Sequence, residues 1–260
     1  MEKSAKVFLT SKIQKKDNWK EDWLMNKNKI EIKRMDEQDY GRKEAMNSLR
    51  TNLQFCGDDI QVILLTSCTP NEGKSTIGMQ LANSLGENEK KVLLIDADLR
   101  KSVLVGRHGM HSKSEIKGLS HYLSGQEKIE DVIYETNLEG IDIIVAGPVV
   151  PNPTELLGNH YFEGLLAYGR ENYDTVIVDS PPLGSVIDTA VIAPKCDGAI
   201  LVIESGAISY RFVQEVKKQL EITGCRILGA VLNKVERERG AYKGYYKGYY
   251  KQYTEYTQED

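Results

Sequence analysis

Apolar residues in this chain gather into short runs at 62–65, 92–95, 141–145, 175–178, 199–203 and 227–232, each bounded by charged or polar positions. Runs of this length are too short for helices, and continuous apolar character suits strands buried on both faces of a parallel sheet. Between them the spacing changes. Ala45, Leu49 and Leu53 recur every four residues and predict an amphipathic helix over 42–55, and Ile77, Leu81 and Leu85 predict another. Short helices are expected around 119–123 and 129–133. Pro148, Pro151 and Pro153 form a rigid lead into a helix capped by Thr154 that runs through Leu156, Leu157, Phe162, Leu165 and Leu166. Phe212, Val213, Val216 and Leu220 line one face of a helix that starts at Ser209 and stops at Gly224. Strands alternating with helices predict an α/β fold, a three-layer sandwich around a mostly parallel sheet.

The two ends read differently. Residues 1–38 are rich in Lys, Asp, Glu and Asn, with Trp19, Trp23 and Leu24 as the notable apolar cluster, and read as a solvated arm. Residues 236–260 repeat Tyr-Lys-Gly-Tyr and hold seven of the fourteen tyrosines, namely Tyr242, Tyr245, Tyr246, Tyr249, Tyr250, Tyr253 and Tyr256. Without aliphatic residues such a segment buries too little surface to offset its ordering entropy, so a mobile tail is expected. Taken alone, clustered tyrosines fit aromatic contacts, base stacking, an aggregation-prone tract or a phosphorylation substrate equally well. The domain proper is expected over 39–235.

Composition narrows the classes. A 260-residue chain with 40% hydrophobic residues and a net charge of −4 suits one full core and argues against wholesale nucleic-acid binding. Cys56, Cys68, Cys196 and Cys225 form no C-x-x-C pair and the histidines sit at no zinc-ligand spacing, as in a reduced cytosolic protein. No apolar run approaches the ~20 residues that cross a bilayer, so work at a membrane would need another anchor.

Candidate chemistry starts where the first strand ends. Ser67-Cys68-Thr69-Pro70-Asn71-Glu72-Gly73-Lys74-Ser75-Thr76 lies between an apolar strand and a helical pattern and reads as a phosphate-binding loop. There, backbone N–H groups and a helix N-terminus converge on a polyphosphate, with Lys74 on its terminal charges. Ser75, or alternatively Thr76, would supply a hydroxyl to Mg²⁺. Cys68 stands where the first glycine of the motif is expected, and Asn71 takes a position suited to positive φ. The strand 92–95 runs into Asp96, Asp98 and Arg100, alternate residues that share a face at strand spacing. The strand 175–178 runs into Asp179, an acid placed to organise Mg²⁺ and water beside phosphates. All three carboxylates would emerge at the sheet edge where ligands bind.

The Lys74 loop, apolar-Asp96-x-Asp98-x-Arg100, apolar-Asp179-Ser180-Pro181-Pro182 and the tyrosine-rich end together resemble the bacterial protein-tyrosine kinases (BY-kinases) of capsule and exopolysaccharide synthesis. The likeness spans about residue 40 to the end. It implies a tyrosine kinase on a P-loop ATPase frame, with ATP and Mg²⁺ on residues 68–76 and adenine near Asn233. It further implies Ser75, Asp98 and Asp179 around the metal, Asp96 as proton acceptor with Lys74, Asp98 and Arg100 as the other catalytic residues, and the tail tyrosines as autophosphorylation sites. Residues 43–52 resemble a family helix used for ring-shaped oligomers; Glu44 and Arg50 are present, and Asn47 replaces an intermediate arginine. The resemblance also implies a separate transmembrane chain-length regulator whose cytoplasmic tail activates the kinase and recruits it to the inner face of the plasma membrane, and a cognate tyrosine phosphatase. Two rivals remain. A dimerising partitioning or division-site ATPase would carry a lysine between Ser67 and Gly73, where this chain has none. A nucleotide-gated scaffold would use the tail as a binding epitope.

Overall fold

A computed structural model describes residues 28–35 and 40–235; Trp19, Trp23 and the tyrosines from Tyr242 to Tyr256 lie outside the described residues. Eight strands form one sheet in the order β1-β4-β5-β3-β6-β2-β7-β8. They are β1 (Lys29–Ile30), β2 (Val62–Ser67), β3 (Val92–Asp96), β4 (Tyr134–Thr136), β5 (Ile141–Ile144), β6 (Thr175–Asp179), β7 (Gly198–Glu204) and β8 (Ile227–Asn233). All pairings are parallel except β4 with β5.

The apolar runs of the inner strands are buried on both sides, as their continuity requires, whereas the run 227–232 forms the edge strand β8 and is only partly covered, with Leu232 45% exposed. Leu64, Leu93, Ile95, Val176 and Val178 face one layer with Phe162, Leu165, Val216 and Leu220, while Ile63, Leu65, Leu94, Ile177 and Ile200 face the other with Met79, Leu81 and Leu104. The helices supplying these layers are α1 (Tyr40–Gln54), α2 (Lys74–Gly86), α3 (Leu104–His108), α4 (Leu119–Leu123), α5 (Ile129–Val132), α6 (Pro153–Gly158), α7 (His160–Asn172), α8 (Asp188–Ile192) and α9 (Tyr210–Ile222). None of the described helices is long and apolar enough to cross a membrane.

Four local expectations need correction. In α1 the buried residue is Met46, packed on Ile77 and Val202 with Leu49, whereas Ala45 is exposed. The helix expected after Pro153 is two helices, α6 and α7, broken at Asn159, whose side chain accepts from Phe162 N at 3.2 Å and caps the second. Thr154 caps neither; its hydroxyl donates to Asp188 Oδ1 at 2.5 Å. Finally, the stretch read as the end of a solvated arm enters the sheet. Ile30 and Ile32 alternate with Glu31 and are buried, and β1 pairs with β4. Asn137 accepts from Ile32 N at 2.7 Å and donates to its carbonyl at 3.2 Å, and the His108 carbonyl accepts from Lys33 N and Arg34 N.

At the other end of the strands, Asp197 anchors the start of β2. Its carboxylate accepts from Gln61 N at 2.9 Å, from Val62 N at 2.7 Å, and from both terminal nitrogens of Arg170 in α7 at 2.7 Å. Burial works against its charge, but Arg170 and the two backbone N–H groups prevail and hold Asp197 below the ordinary carboxylate range.

Candidate active site

Leaving β2, the chain turns through residues 68–73 and enters α2 at Lys74. Two backbone positions make the turn. Asn71 has φ 70° and Gly73 has φ 95°; the left-handed region is open to glycine and tolerated by asparagine. A Cβ on Gly73 would also press on the side-chain amide of Asn233, which would have to move aside. Cys68, in place of the motif's first glycine, is fully buried, and burial followed by the nearby Glu72 charge pushes its thiol up to about 11.

Glu72 folds under the loop and is 1% exposed. One carboxylate oxygen accepts from both the N–H and the hydroxyl of Thr69, and the other accepts from Glu204 N at 2.9 Å. It is therefore an internal strut, a role that sequence spacing does not reveal because Glu204 lies 132 positions away. Pro70 and Asn71 are exposed on the loop's outer side.

Lys74 opens α2 with its ammonium turned into the sheet edge, 3.5 Å from Asp179 Oδ1, 3.7 Å from Asp98 Oδ2 and 3.4 Å from Ser75 Oγ. Burial opposes its charge, yet Asp179, Asp98 and Asp96 outweigh that cost and keep it more firmly protonated than a free lysine. Asp96 and Asp179 are direct partners on β3 and β6. Burial and the Asp179 charge push Asp96 up to about 7, against the opposing influence of Ser102, Lys74 and the Asp98 N–H. Burial likewise raises Asp179, against the pull of Lys74.

Asp98 reaches this cluster by a different route from the one its spacing suggests. Strand β3 ends at Asp96, and a turn follows in which Asp98 N donates to Asp96 Oδ1 at 3.2 Å while Asp98 Oδ1 accepts from Arg100 N and Lys101 N at 3.3 and 3.0 Å. Ser102 completes the turn by donating to Asp96 Oδ2 at 2.5 Å. Arg100 consequently points away from Lys74. Its guanidinium meets the buried Asp188 at 2.6 and 2.9 Å and Thr154 at 3.2 Å, tying together the segments after β3, β5 and β6. In this structure it braces the site's surroundings and does not join the Lys74 cluster.

The remaining expected residues are placed as follows. Thr76 accepts from Arg107 at 2.9 Å and belongs to the outer side of α2, leaving Ser75 as the hydroxyl beside Lys74. Asn233 stands at the tip of β8 with its amide donating to the Glu72 carbonyl at 2.9 Å. Glu44 accepts from Asn47 at 3.4 Å, and Arg50 donates to the Ser84 carbonyl at 3.0 Å within the same chain. Sequence reasoning missed Glu72 as a strut, Ser102, Asp188 and Lys234; Ser102 and Asp188 lie within a few residues of flagged motifs, which was the available signal.

Among the described residues no group of three or more His, Cys, Asp or Glu is arranged to hold a metal ion unaided. One observation nevertheless suits a hard cation: Asp179 Oδ1 is buried and lacks a hydrogen-bond partner, and Ser75 and Asp98 bring further oxygen atoms to the same lysine. Mg²⁺ commonly takes only one or two carboxylates and fills its shell with water and phosphate.

Comparison with known proteins identifies the relatives of this chain. Residues 60–224 match the AAA domain family. Tyrosine-protein kinase CpsD of Streptococcus agalactiae is 42% identical over 200 residues, covering 77% of this chain and 86% of the relative. Tyrosine-protein kinase etk of Escherichia coli K12 is 37% identical over 202 residues, covering 76% of this chain and 27% of that longer protein. The solved kinase domain of Escherichia coli tyrosine kinase ETK superposes with a TM-score of 0.72 at 34% identity, over 77% of this chain and 78% of that one. The septum site-determining protein MinD of Pyrococcus horikoshii, complexed with Mg-ADP, gives a TM-score of 0.59 at 27% identity, over 69% and 72%. Kinship of this degree across three quarters of the sequence means that the chain belongs to the bacterial protein-tyrosine kinases of capsule and exopolysaccharide synthesis, which transfer a phosphoryl group from ATP to protein tyrosine.

Proposed function

We propose that this kinase phosphorylates its own C-terminal tyrosines, Tyr242, Tyr245, Tyr246, Tyr249, Tyr250, Tyr253 and Tyr256, in trans between subunits, using ATP and Mg²⁺ bound at residues 68–76. The observation that carries the reading is the ammonium of Lys74 lying within 4 Å of both Asp98 and Asp179 at the end of the phosphate loop. Catalysis of phosphoryl transfer is mainly positioning and charge neutralisation, and this edge of the sheet concentrates the groups for both.

Ser75, Asp98 and Asp179 would hold the metal, with Asp179 Oδ1, which faces Lys74 and accepts no hydrogen bond, as a natural ligand. Mg²⁺ supplies charge neutralisation on the phosphates and helps to orient them. Lys74 meets the β- and γ-phosphate oxygens. Asp96, oriented by Ser102 and the Asp98 N–H, accepts the phenol proton as the tyrosine oxygen bonds to the γ-phosphorus and the bond to the ADP oxygen breaks. Its raised proton affinity favours that acceptance.

Family resemblance supports the wider setting. A transmembrane chain-length regulator would act as the activating adaptor and bring the kinase to the membrane, a tyrosine phosphatase would reset it, and α1, with Glu44 and Arg50, would contribute to a ring of subunits. Each phosphate adds about −1.5 to −2 charge, so successive phosphorylation would loosen the assembly by repulsion.

The test is to incubate the chain, fused to the activating tail of its membrane partner, with Mg·ATP and to map modified tyrosines by mass spectrometry. Phosphate on the 242–256 cluster is expected, with Lys74→Met unmodified. An unmodified wild-type tail, or equal modification of Lys74→Met, would reject the reading.

A further inference from the structure

The tip of β8 grips the phosphate loop at two successive carbonyls. Lys234 Nζ donates to the Asn71 carbonyl at 2.8 Å, and Asn233 Nδ2 donates to the Glu72 carbonyl at 2.9 Å. The same ammonium meets Glu204 Oε2 at 2.8 Å at the end of β7, and Glu204 N donates to Glu72. Lys234 has φ 55°, a left-handed conformation that lysine rarely adopts, and its own N–H is fixed on Asn233 Oδ1 at 2.9 Å. Asn71, on the receiving side, is left-handed as well, with φ 70°. Two uncommon backbone conformations thus meet through one hydrogen bond.

Peptide planarity gives this contact its consequence. In a trans peptide the carbonyl and the following N–H point in opposite directions. Pulling the Asn71 and Glu72 carbonyls toward β8 therefore aims the N–H groups of Glu72 and Gly73 away from β8, toward the inside of the loop. Inward-facing N–H groups are what a phosphate-binding loop offers its ligand.

We infer that Lys234 is a positioning residue for nucleotide binding, acting through the Asn71 peptide to orient the N–H groups of the phosphate loop without touching the nucleotide. The inference rests on the reading that residues 68–76 bind ATP. The Lys234 side chain is 47% exposed, and ion pairs at such positions add little to folding stability. Its effect should therefore appear in ligand affinity and not in melting temperature.

The experiment uses the full chain and titrates a fluorescent ATP analogue with Mg²⁺ into wild type, Lys234→Asn, Lys234→Arg and Lys74→Met, with a melting curve for each. Asparagine accepts the left-handed backbone and removes the ammonium, while arginine keeps a cation. Lys234→Asn is expected to weaken binding by about fivefold, the worth of one hydrogen bond, at an unchanged melting temperature, and Lys234→Arg to recover most of the loss. Equal affinity of Lys234→Asn and wild type, with Lys74→Met deficient, would overturn the inference and leave the ATP reading intact. Wild type binding no better than Lys74→Met would overturn both. Equal losses of affinity and melting temperature in the Asn and Arg variants would reduce Lys234 to a structural residue and also reject the inference.

Discussion

Lys74 Nζ lies 3.5 Å from Asp179 Oδ1, a buried oxygen with no hydrogen-bond partner of its own. A carboxylate oxygen withdrawn from water usually recovers its lost hydration through hydrogen bonds. Here the Lys74 ammonium stands beside it, and the same ammonium also faces Asp98. The site concentrates negative charge around one cation, an arrangement suited to receiving a metal and unfavourable to stability without one.

Removing that cation is the first prediction. Lys74→Met should lower phosphotransfer by roughly 10²- to 10³-fold, the usual cost of deleting a preorganised charge-stabilising donor. A radiolabel transfer assay on the adaptor-fused enzyme measures it. Activity within a factor of a few of wild type would remove Lys74 from the chemistry.

The loop's backbone predicts a contrast between two neighbours. Gly73→Ala introduces a methyl at a φ of 95° and against the Asn233 amide, so the loop backbone is strained and the Asn233 side chain must leave the Glu72 carbonyl. Asn71→Gly relaxes a φ of 70° and should be tolerated. Nucleotide titration is expected to show a loss of about tenfold or more for Gly73→Ala, equivalent to about 1.4 kcal/mol, and little change for Asn71→Gly.

Glu72 should prove a stability residue as much as a binding one. Glu72→Ala leaves the half-buried Thr69 and Glu204 N–H groups without their acceptor, and an unsatisfied group costs up to about 1–3 kcal/mol when fully buried. Urea unfolding should therefore reveal a loss of about 1–2 kcal/mol. A midpoint equal to that of wild type would show that the loop repacks without its strut.

At the opposite end of the sheet, Asp197 predicts a pH dependence. Its folded carboxyl titrates below the ordinary value because Arg170 and two backbone N–H groups favour the anion. The stabilisation is therefore complete above the unfolded value of about 3.9 and fades as pH falls through the depressed folded value. Asp197→Asn should destabilise the protein at pH 7, and the gap from wild type should narrow as unfolding is measured toward pH 3. A gap that widens on acidification would contradict the assignment.

Sequence patterning located Lys74, Asp96 and Asp179 because each directly follows or ends a buried strand run or its turn, and in a parallel sheet such positions share an edge. Asp98 reaches the same edge by another route: alternation predicts a strand continuing past Asp96, whereas side-chain-to-backbone hydrogen bonds end it there. The same alternation puts Arg100 beside the two carboxylates, whereas it turns to Asp188, a partner 88 positions away that local spacing does not reveal. Glu72 and Lys234 were hidden similarly, their roles depending on contacts across 132 and 163 positions. Strands β1 and β4, two and three residues long, carry too few apolar positions to register as periodic.

Strand β1 has a practical consequence. A shortened chain starting at residue 40 would look reasonable from composition, yet it would uncover the hydrogen-bonding groups that β4 now spends on Lys29 and Ile30 and would strip two isoleucines from the interior. An open flank of that kind invites pairing with other molecules. Recombinant versions of this kinase should therefore retain Asn28 onward, and insolubility of the shorter form would mark loss of this border and not damage to the catalytic edge.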